Sequence, residues 1–234
     1  RIVSGIMLTL LLIGTSALAF NIQPVKAEPR TWTVDDDGPA DFHTIQEAIN
    51  AASLGDTIYV RTGTYYENVV LEKTVTLIGE NKETTIIDGG GAGIVAKVTK
   101  DNVSITGFMI RNGGKYWPDS GIVLSYVRNC NISGNNIANN YAGIWLHNSS
   151  NNNIAGNFIT ANIWGVFLYY YSSGNSVTGN NITANNEYGI YLDFQSSNNK
   201  MAGNSITAHR FFGIMVGYSP RNTITGNNIA NNLY

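Results

Sequence analysis

The chain has 234 residues and a formal net charge of −2, a length typical of one domain. Charged residues make up only 13%, about half of the usual share. The near-neutral balance argues against nucleic acid as a partner. The single cysteine, Cys130, excludes an internal disulfide framework and a multi-cysteine zinc site.

The N-terminal segment predicts export. An almost unbroken apolar run over residues 2–20 follows Arg1, and Val25 and Ala27 are small residues suited to cleavage after Ala27. This is the pattern of a secretory signal peptide. The run is also long enough to span a bilayer, so an uncleaved anchor is the alternative, and the one predicted contact with a membrane. Residues 1–27 are therefore a predicted signal peptide or anchor, with the body of the protein extracellular, on the cell surface or periplasmic.

Residues 28–56 are predicted to form an N-terminal cap. Thr31–Val34 favour a short strand, and the aspartates at 35–37 favour a solvated turn. Thr44 and Glu47 fit a capping box, in which the two side chains bond reciprocally to the first turn of a helix. Because little other helical pattern is present, we expect the apolar face of this helix to cover the open end of a sheet.

From residue 57 to residue 234 the chain predicts short strands, and its second half repeats. The dipeptide Gly-Asn recurs at intervals of 22, 23, 24 and 23 residues from Gly134 to Gly226. A second glycine, followed by Ile or Val, recurs at intervals of 22, 22, 24 and 24 residues from Gly121 to Gly213. Such a period indicates a solenoid. A leucine-rich repeat would need more leucine, so three short strands per coil and an all-β parallel β-helix are predicted.

The excess of asparagine has a structural explanation. The chain contains 31 asparagines, 27 of them within residues 101–234. Stacked side-chain amides can bond along the axis of an in-register β-assembly. The repeat predicts one such structural ladder at Asn135, Asn157, Asn180, Asn204 and Asn227. A second predicted polar column is Asn140, Asn162, Asn185, His209 and Asn232.

Residues 32–90 carry a family resemblance. The stretches Trp-Thr-Val-Asp-Asp-Asp-Gly-Pro-Ala-Asp-Phe, Gly-Thr-Tyr-Tyr-Glu-Asn-Val and Thr-Ile-Ile-Asp-Gly resemble the opening of NosD-like proteins. These are exported proteins of the pectin-lyase-like superfamily. The resemblance implies a right-handed parallel β-helix of about 23 residues per coil across nearly the whole mature chain. It implies less about activity, because one fold hosts many functions.

A polysaccharide lyase, hydrolase or esterase is one alternative function. Gly63–Val69 also resemble the first conserved stretch of pectin methylesterases, but the later catalytic motifs of that family do not follow. Residues 101–234 contain only four carboxylates, whereas glycoside hydrolysis usually needs a pair roughly 5–9.5 Å apart. Glu187 and Asp193 share one coil but are separated by a glycine and a strand. We therefore expect no catalytic residues in these coils.

A copper-binding accessory role, as implied for NosD itself, is another alternative. Copper sites favour histidine, cysteine and methionine together, whereas His43, His147 and His209 are scattered along the chain. His147 is expected to face outward alone, and Cys130 to be a buried, inert thiol. We predict no metal site and no cofactor, because neither copper nor calcium has a ligand cluster in the sequence.

Two outward-facing columns on one sheet predict a binding face. After each repeating glycine, the first outward column is Val123, Trp145, Phe167, Tyr191 and Met215. The second column, two residues further on, is Ser125, His147, Tyr169, Asp193 and Gly217. Trp145, Phe167 and Tyr191 therefore predict an exposed aromatic ladder, and exposed apolar patches mark interaction sites.

This face predicts a non-catalytic module that binds polysaccharide or cell-surface glycan. Flat aromatic rings suit the apolar faces of sugars, and His147, Tyr169 and Asp193 offer hydrogen-bonding groups beside them. The alternative is a pure surface scaffold in which the aromatic stack only stabilises the sheet. We expect seven to eight coils in this chain. Because solenoids need capped ends and the repeat is interrupted at Tyr234, we also expect that the natural protein continues with further residues.

Overall fold

A computed structural model describes residues 28–234, and the predicted signal segment lies outside these described residues. The chain winds into a parallel β-helix of about nine coils, whose longest sheet has nine strands. The predicted fold class is confirmed. The prediction of seven to eight coils was too low, because the predicted cap, residues 28–56, also contributes a strand, Thr31–Val34, to the longest sheet.

Each complete coil contributes one strand to each of three parallel sheets, and the incomplete coils at the two ends leave nine, eight and seven strands in them. Sheet A contains β1 (Thr31–Val34), β2 (Thr57–Val60), β5 (Thr76–Gly79), β8 (Ser104–Thr106), β11 (Asn131–Ser133), β14 (Asn153–Ala155), β17 (Ser176–Thr178), β20 (Lys200–Ala202) and β23 (Thr223–Thr225). Sheet B contains β3 (Gly63–Tyr66), β6 (Thr85–Asp88), β9 (Met109–Arg111), β12 (Asn136–Ala138), β15 (Phe158–Thr160), β18 (Asn181–Thr183), β21 (Ser205–Thr207) and β24 (Asn228–Ala230). Sheet C contains β4 (Val69–Leu71), β7 (Ala96–Val98), β10 (Ser120–Ser125), β13 (Ala142–His147), β16 (Trp164–Tyr169), β19 (Tyr188–Leu192) and β22 (Ile214–Val216).

Within residues 28–234 the one helix is α1 (Ile45–Ala51), which packs against β1, β2 and β4 at the N-terminal end of the solenoid. The hydroxyl of Thr44 accepts a hydrogen bond from the backbone N–H of Glu47, as half of the predicted capping box requires. The other half differs. The carboxylate of Glu67, on the turn after β3, accepts hydrogen bonds from the first two backbone N–H groups of the helix at 2.8 and 2.9 Å. No helix within residues 28–234 is long and apolar enough to cross a membrane.

The core is a stack of aliphatic side chains along the inside of the coils. In sheet A, Ile132 is in register with Ile154, and in sheet B Ile137 is in register with Ile159. All four are fully buried. Since burial of each such side chain contributes about 1.5–3 kcal/mol, repetition of one inward position stabilises the whole length of the solenoid.

The two glycine markers of the repeat have different physical causes. A Cβ atom at Gly165 would overlap the carbonyl oxygen of Gly189 and lie 2.7 Å from Cγ2 of Ile182. This marker therefore reflects close packing between coils. The glycine of each Gly-Asn pair, such as Gly179, has a positive φ of 61° and open space around it. This second marker reflects a left-handed turn, which glycine adopts at least cost.

Buried asparagines form continuous ladders at the turns. The Asn180 side-chain oxygen accepts hydrogen bonds from the backbone N–H and the amide of Asn157, both at 3.0 Å. Its amide donates to the carbonyl of Ile154 at 2.9 Å and to the side-chain oxygen of Asn204 at 3.0 Å. The same pattern extends from Asn135 to Asn227. These amides therefore satisfy buried backbone groups that water cannot reach.

Two further ladders run parallel to the first. One is the predicted polar column, Asn140, Asn162, Asn185, His209 and Asn232. The other was not predicted and contains Cys130, Asn152, Asn175, Asn199 and Asn222. Sequence reasoning missed it because this turn varies in composition between coils and has no fixed dipeptide.

An aromatic cleft on the outer face of sheet C

Sheet C holds the predicted aromatic column in register. Trp145 lies beside Phe167, and Phe167 lies beside Tyr191, on the neighbouring strands β13, β16 and β19. The rings of Phe167 and Tyr191 stack with centroids 4.9 Å apart and planes 15° apart. In the second column His147 pairs with Tyr169, whereas Asp193 lies one residue beyond the end of its strand.

The expectation that this ladder is itself exposed is wrong. Trp145 is only 8% exposed and Phe167 only 3%. Trp117, from the loop between β9 and β10, lies over Trp145 with ring centroids 4.4 Å apart. Trp164 packs edge-on against Phe167 at 4.9 Å. The ladder is therefore the floor of a two-layered aromatic cluster, because other rings fold over it.

The second layer forms a shallow cleft of about 350 Å³. The cleft is lined by Trp117, Tyr141, Trp164, Phe167, Tyr169, Tyr191 and Asp193. Four predicted site residues thus lie in its lining: Phe167, Tyr169, Tyr191 and Asp193. Trp145 lies beneath the lining, so its contribution is structural support. The volume falls in the range of small-ligand sites.

His147 lies beside the cleft among aromatic rings, and within residues 28–234 it belongs to no group of three metal-binding side chains close enough to share an ion. Its Nε2 atom is 3.3 Å from the hydroxyl of Tyr126. Its ring stacks at 5.9 Å on Tyr169 and at 5.5 Å on Tyr170. Burial lowers the pKa of His147, so the ring is neutral at pH 7 and acts as an aromatic platform and a hydrogen-bonding group.

Two carboxylates hold the rings of the cleft in place. Asp193 accepts a hydrogen bond from the Tyr191 hydroxyl at 2.6 Å and one from the backbone N–H of Phe194 at 2.8 Å. Glu187 accepts one from the indole N–H of Trp164 at 2.7 Å. Burial, followed by the bond to Asp193 and its charge, raises the pKa of Tyr191. The Tyr191 hydroxyl therefore keeps its proton and donates it in the hydrogen bond to the Asp193 carboxylate.

Exposed aromatic residues continue the surface along the turn after sheet C. The backbone is left-handed at Tyr126, Tyr170, Tyr171, Phe194 and Tyr218, with φ values between 39° and 59°. Each is substantially exposed. A left-handed backbone costs about 1–3 kcal/mol for a residue other than glycine. Each of these exposed aromatic residues therefore lowers the stability of the folded protein.

The family is decided by a match along most of the chain. A family model described as "Periplasmic copper-binding protein (NosD)" matches residues 49–234. The chain belongs to the NosD family.

One relative is similar to this NosD-family chain in sequence, and two solved structures share its fold. A cell surface glycoprotein of Methanothermus fervidus is 34% identical over 163 residues, which are 64% of this chain and 26% of the relative. Geobacillus virus E2 ORF18 superposes with a TM-score of 0.61 at 16% identity, over 79% of this chain and 48% of that one. An alginate lyase from Paenibacillus superposes with a TM-score of 0.58 at 14% identity, over 87% of this chain and 97% of that one. The match thus spans about a quarter of the glycoprotein's length.

The NosD family description implies copper, and two candidate ligands are already engaged in the fold. The Nδ1 atom of His209 accepts from the backbone N–H of Asn185 at 3.2 Å, and its Nε2 atom lies 3.1 Å from the carbonyl oxygen of Ile182. Cys130 is buried, and burial raises the pKa of its thiol to about 11. A metal on His209 would therefore break a ladder, and the thiol of Cys130 is buried and protonated.

The remaining histidines lie apart from other ligands. His43 Nδ1 lies 2.8 Å from the carbonyl oxygen of Asp35, and His147 is surrounded by rings. Across residues 28–234, the one group of three histidine, cysteine or acidic side chains close enough to share an ion is Asp35, Asp36 and Asp37. Carboxylate oxygens suit calcium or magnesium better than copper. The described residues of this NosD-family chain therefore do not fit a copper centre.

Several residues of the cleft were missed by sequence reasoning. The unpredicted lining residues are Trp117, Tyr141 and Trp164. Trp164 directly precedes the repeating glycine, as Tyr188 and Phe212 do in the next two coils, and this column signals the outer layer. Trp117 has no such signal, because it lies in a loop outside the repeat.

Proposed function

We propose that this chain is a non-catalytic module that binds polysaccharide or cell-surface glycan in the aromatic cleft. The cleft itself carries the proposal. Its exposed rings supply flat apolar faces for the C–H faces of pyranoses, and Asp193 supplies an oxygen acceptor for hydroxyls. A recess that combines apolar walls with a few placed polar groups is typical of small-ligand sites.

The same proposal places the protein outside the cytoplasm. The NosD description is periplasmic, and the M. fervidus relative is a cell surface glycoprotein. The apolar segment over residues 2–20 fits export. These observations together support a role at the cell surface or in the periplasm.

A non-catalytic role is favoured by the position of the two acids. Glu187 is bonded to Trp164 and Asp193 to Tyr191, so both carboxylates position rings. The rival is an enzyme that cleaves or de-esterifies polysaccharide, a class to which the structurally similar alginate lyase belongs. New reducing ends, unsaturated products or released alcohol after prolonged incubation would favour the enzyme.

The test is affinity electrophoresis of the protein through gels containing neutral polymers, such as galactomannan and mixed-linkage glucan, or acidic ones, such as alginate and polygalacturonate. We expect retardation by at least one polymer, and loss of that retardation in Trp117→Ala. The matched control is Tyr116→Ala, because Tyr116 is the adjacent residue, is 81% exposed and lies outside the lining. Circular dichroism confirms that both variants fold. Absence of retardation in every gel, or equal retardation of both variants, overturns the proposal.

A further inference from the structure

We infer that the aromatic cleft selects uncharged glycans and rejects polyuronates, an inference that rests on the proposed function. Its basis is the charge around the cleft. Asp193 is the one ionisable acid in the lining, and no lysine or arginine contributes to it. Glu187 lies at the edge of the cleft through its bond to Trp164. Both acids therefore place negative charge where a sugar would bind.

No cation neutralises these two acids in the described part of the chain. The salt bridges within residues 28–234 are Arg61–Glu80 and Arg111–Asp88. The strands that carry the floor and lining residues, β13, β16 and β19, contain neither lysine nor arginine, and neither does the neighbouring β22. A ligand bound in the cleft would therefore lie close to negative charge that no cation offsets.

The nearby lysines and arginines lie outside the lining of the cleft. Between residues 116 and 220 they are Arg128, Lys200 and Arg210. Arg210 is exposed in the turn before β22 and makes no salt bridge with Glu187 or Asp193. Arg128 borders a different depression beside Ser150, and Lys200 lies on β20 in sheet A. Lys115 also lines a separate depression, with Asn139. A uronate in the aromatic cleft would therefore meet carboxylates without the arginine or lysine that normally pairs with one.

Neutral sugars fit the same chemistry. An ionised carboxylate has about four acceptor positions, and Asp193 uses two of them, for the Tyr191 hydroxyl and the Phe194 N–H. The remaining positions can accept sugar hydroxyls. A polyuronate offers a negative charge on every ring, and Asp193 and Glu187 repel it most strongly at low ionic strength.

The test compares matched polymers. The polymer that retards the protein most is compared with the same polymer in the opposite charge state. A neutral polymer is oxidised at C6 to the polyuronate. An acidic polymer is reduced at its carboxyl groups to the neutral form. We expect the uncharged member to bind at least tenfold more tightly in 20 mM NaCl. We expect the difference to narrow in 500 mM NaCl, where charges are screened within a few ångströms.

The variants separate charge from shape. Asp193→Asn keeps an acceptor for Tyr191 and removes the charge, so we expect it to reduce the preference severalfold. The control is Glu83→Gln, which makes the same charge change on an exposed residue beside sheet B. Binding of the acidic member as tightly as the neutral one, with EDTA or with added calcium, overturns the inference and leaves the proposed function standing. Failure of every polymer to bind overturns both.

Discussion

The indole ring of Trp117 lies over that of Trp145, with ring centroids 4.4 Å apart and planes inclined by 51°. One ring comes from an irregular loop and the other from the repeating strand β13. Trp117 is 47% exposed, whereas Trp145 is 8% exposed. The contact therefore joins a regular aromatic ladder to a residue outside the repeat, and it creates the wall of the cleft.

Removal of Trp117 should uncover Trp145 without unfolding the protein. In Trp117→Ala we expect the emission of the remaining tryptophans to shift to longer wavelength and acrylamide to quench it more strongly. The free energy of unfolding should fall by about 1–2 kcal/mol, the loss of one half-buried aromatic contact. Tyr116→Ala should change neither signal. Unchanged quenching in Trp117→Ala would mean that other rings shield Trp145.

The fold could be predicted from the sequence because each recurring glycine or asparagine of the repeat has a local physical cause. Gly165 marks close approach of two coils, and Asn180 marks a buried turn whose backbone needs an amide. The cleft could be predicted from the sequence only in part. Tyr191 and Phe167 follow from strand periodicity, but burial of the ladder depends on how the loop carrying Trp117 folds back, and no periodic signal encodes that.

Asn180 and Asn181 provide a sharp test of the ladder. Asn180→Ala removes the acceptor of the Asn157 backbone N–H and the donor to the Ile154 carbonyl, both buried. Each unsatisfied buried group costs about 1–3 kcal/mol, so we expect a loss of about 3 kcal/mol or more in urea unfolding. Asn181→Ala alters the exposed neighbour and should cost less than about 0.5 kcal/mol. Similar losses in both variants would contradict a structural role for the ladder.

The two glycine classes should respond differently to alanine. Gly165→Ala introduces a Cβ atom against the Gly189 carbonyl and the Ile182 side chain, and we expect a loss of about 2–4 kcal/mol from strain between coils. Gly179→Ala meets open space and carries only the cost of a left-handed alanine, about 1 kcal/mol. Thermal melts of the two variants give the comparison. A larger loss of stability in Gly179→Ala than in Gly165→Ala would contradict the assignment of close packing to Gly165 and of a turn in open space to Gly179.

His209 makes the stability of the ladder depend on pH. Burial lowers the pKa of His209 from its ordinary 6.5. The unfolded chain therefore takes up a proton there below about pH 6.5 while the folded chain does not, and the free energy of unfolding falls as the pH drops. His209→Asn places the side chain that the other coils carry at this position, and it removes the titrating group. Between pH 7.5 and pH 5 we expect the variant to lose less stability than the wild type. Urea unfolding at both pH values measures this difference. Since His43 and His147 are present in both proteins, equal losses on acidification would show that the proton uptake does not involve the ladder.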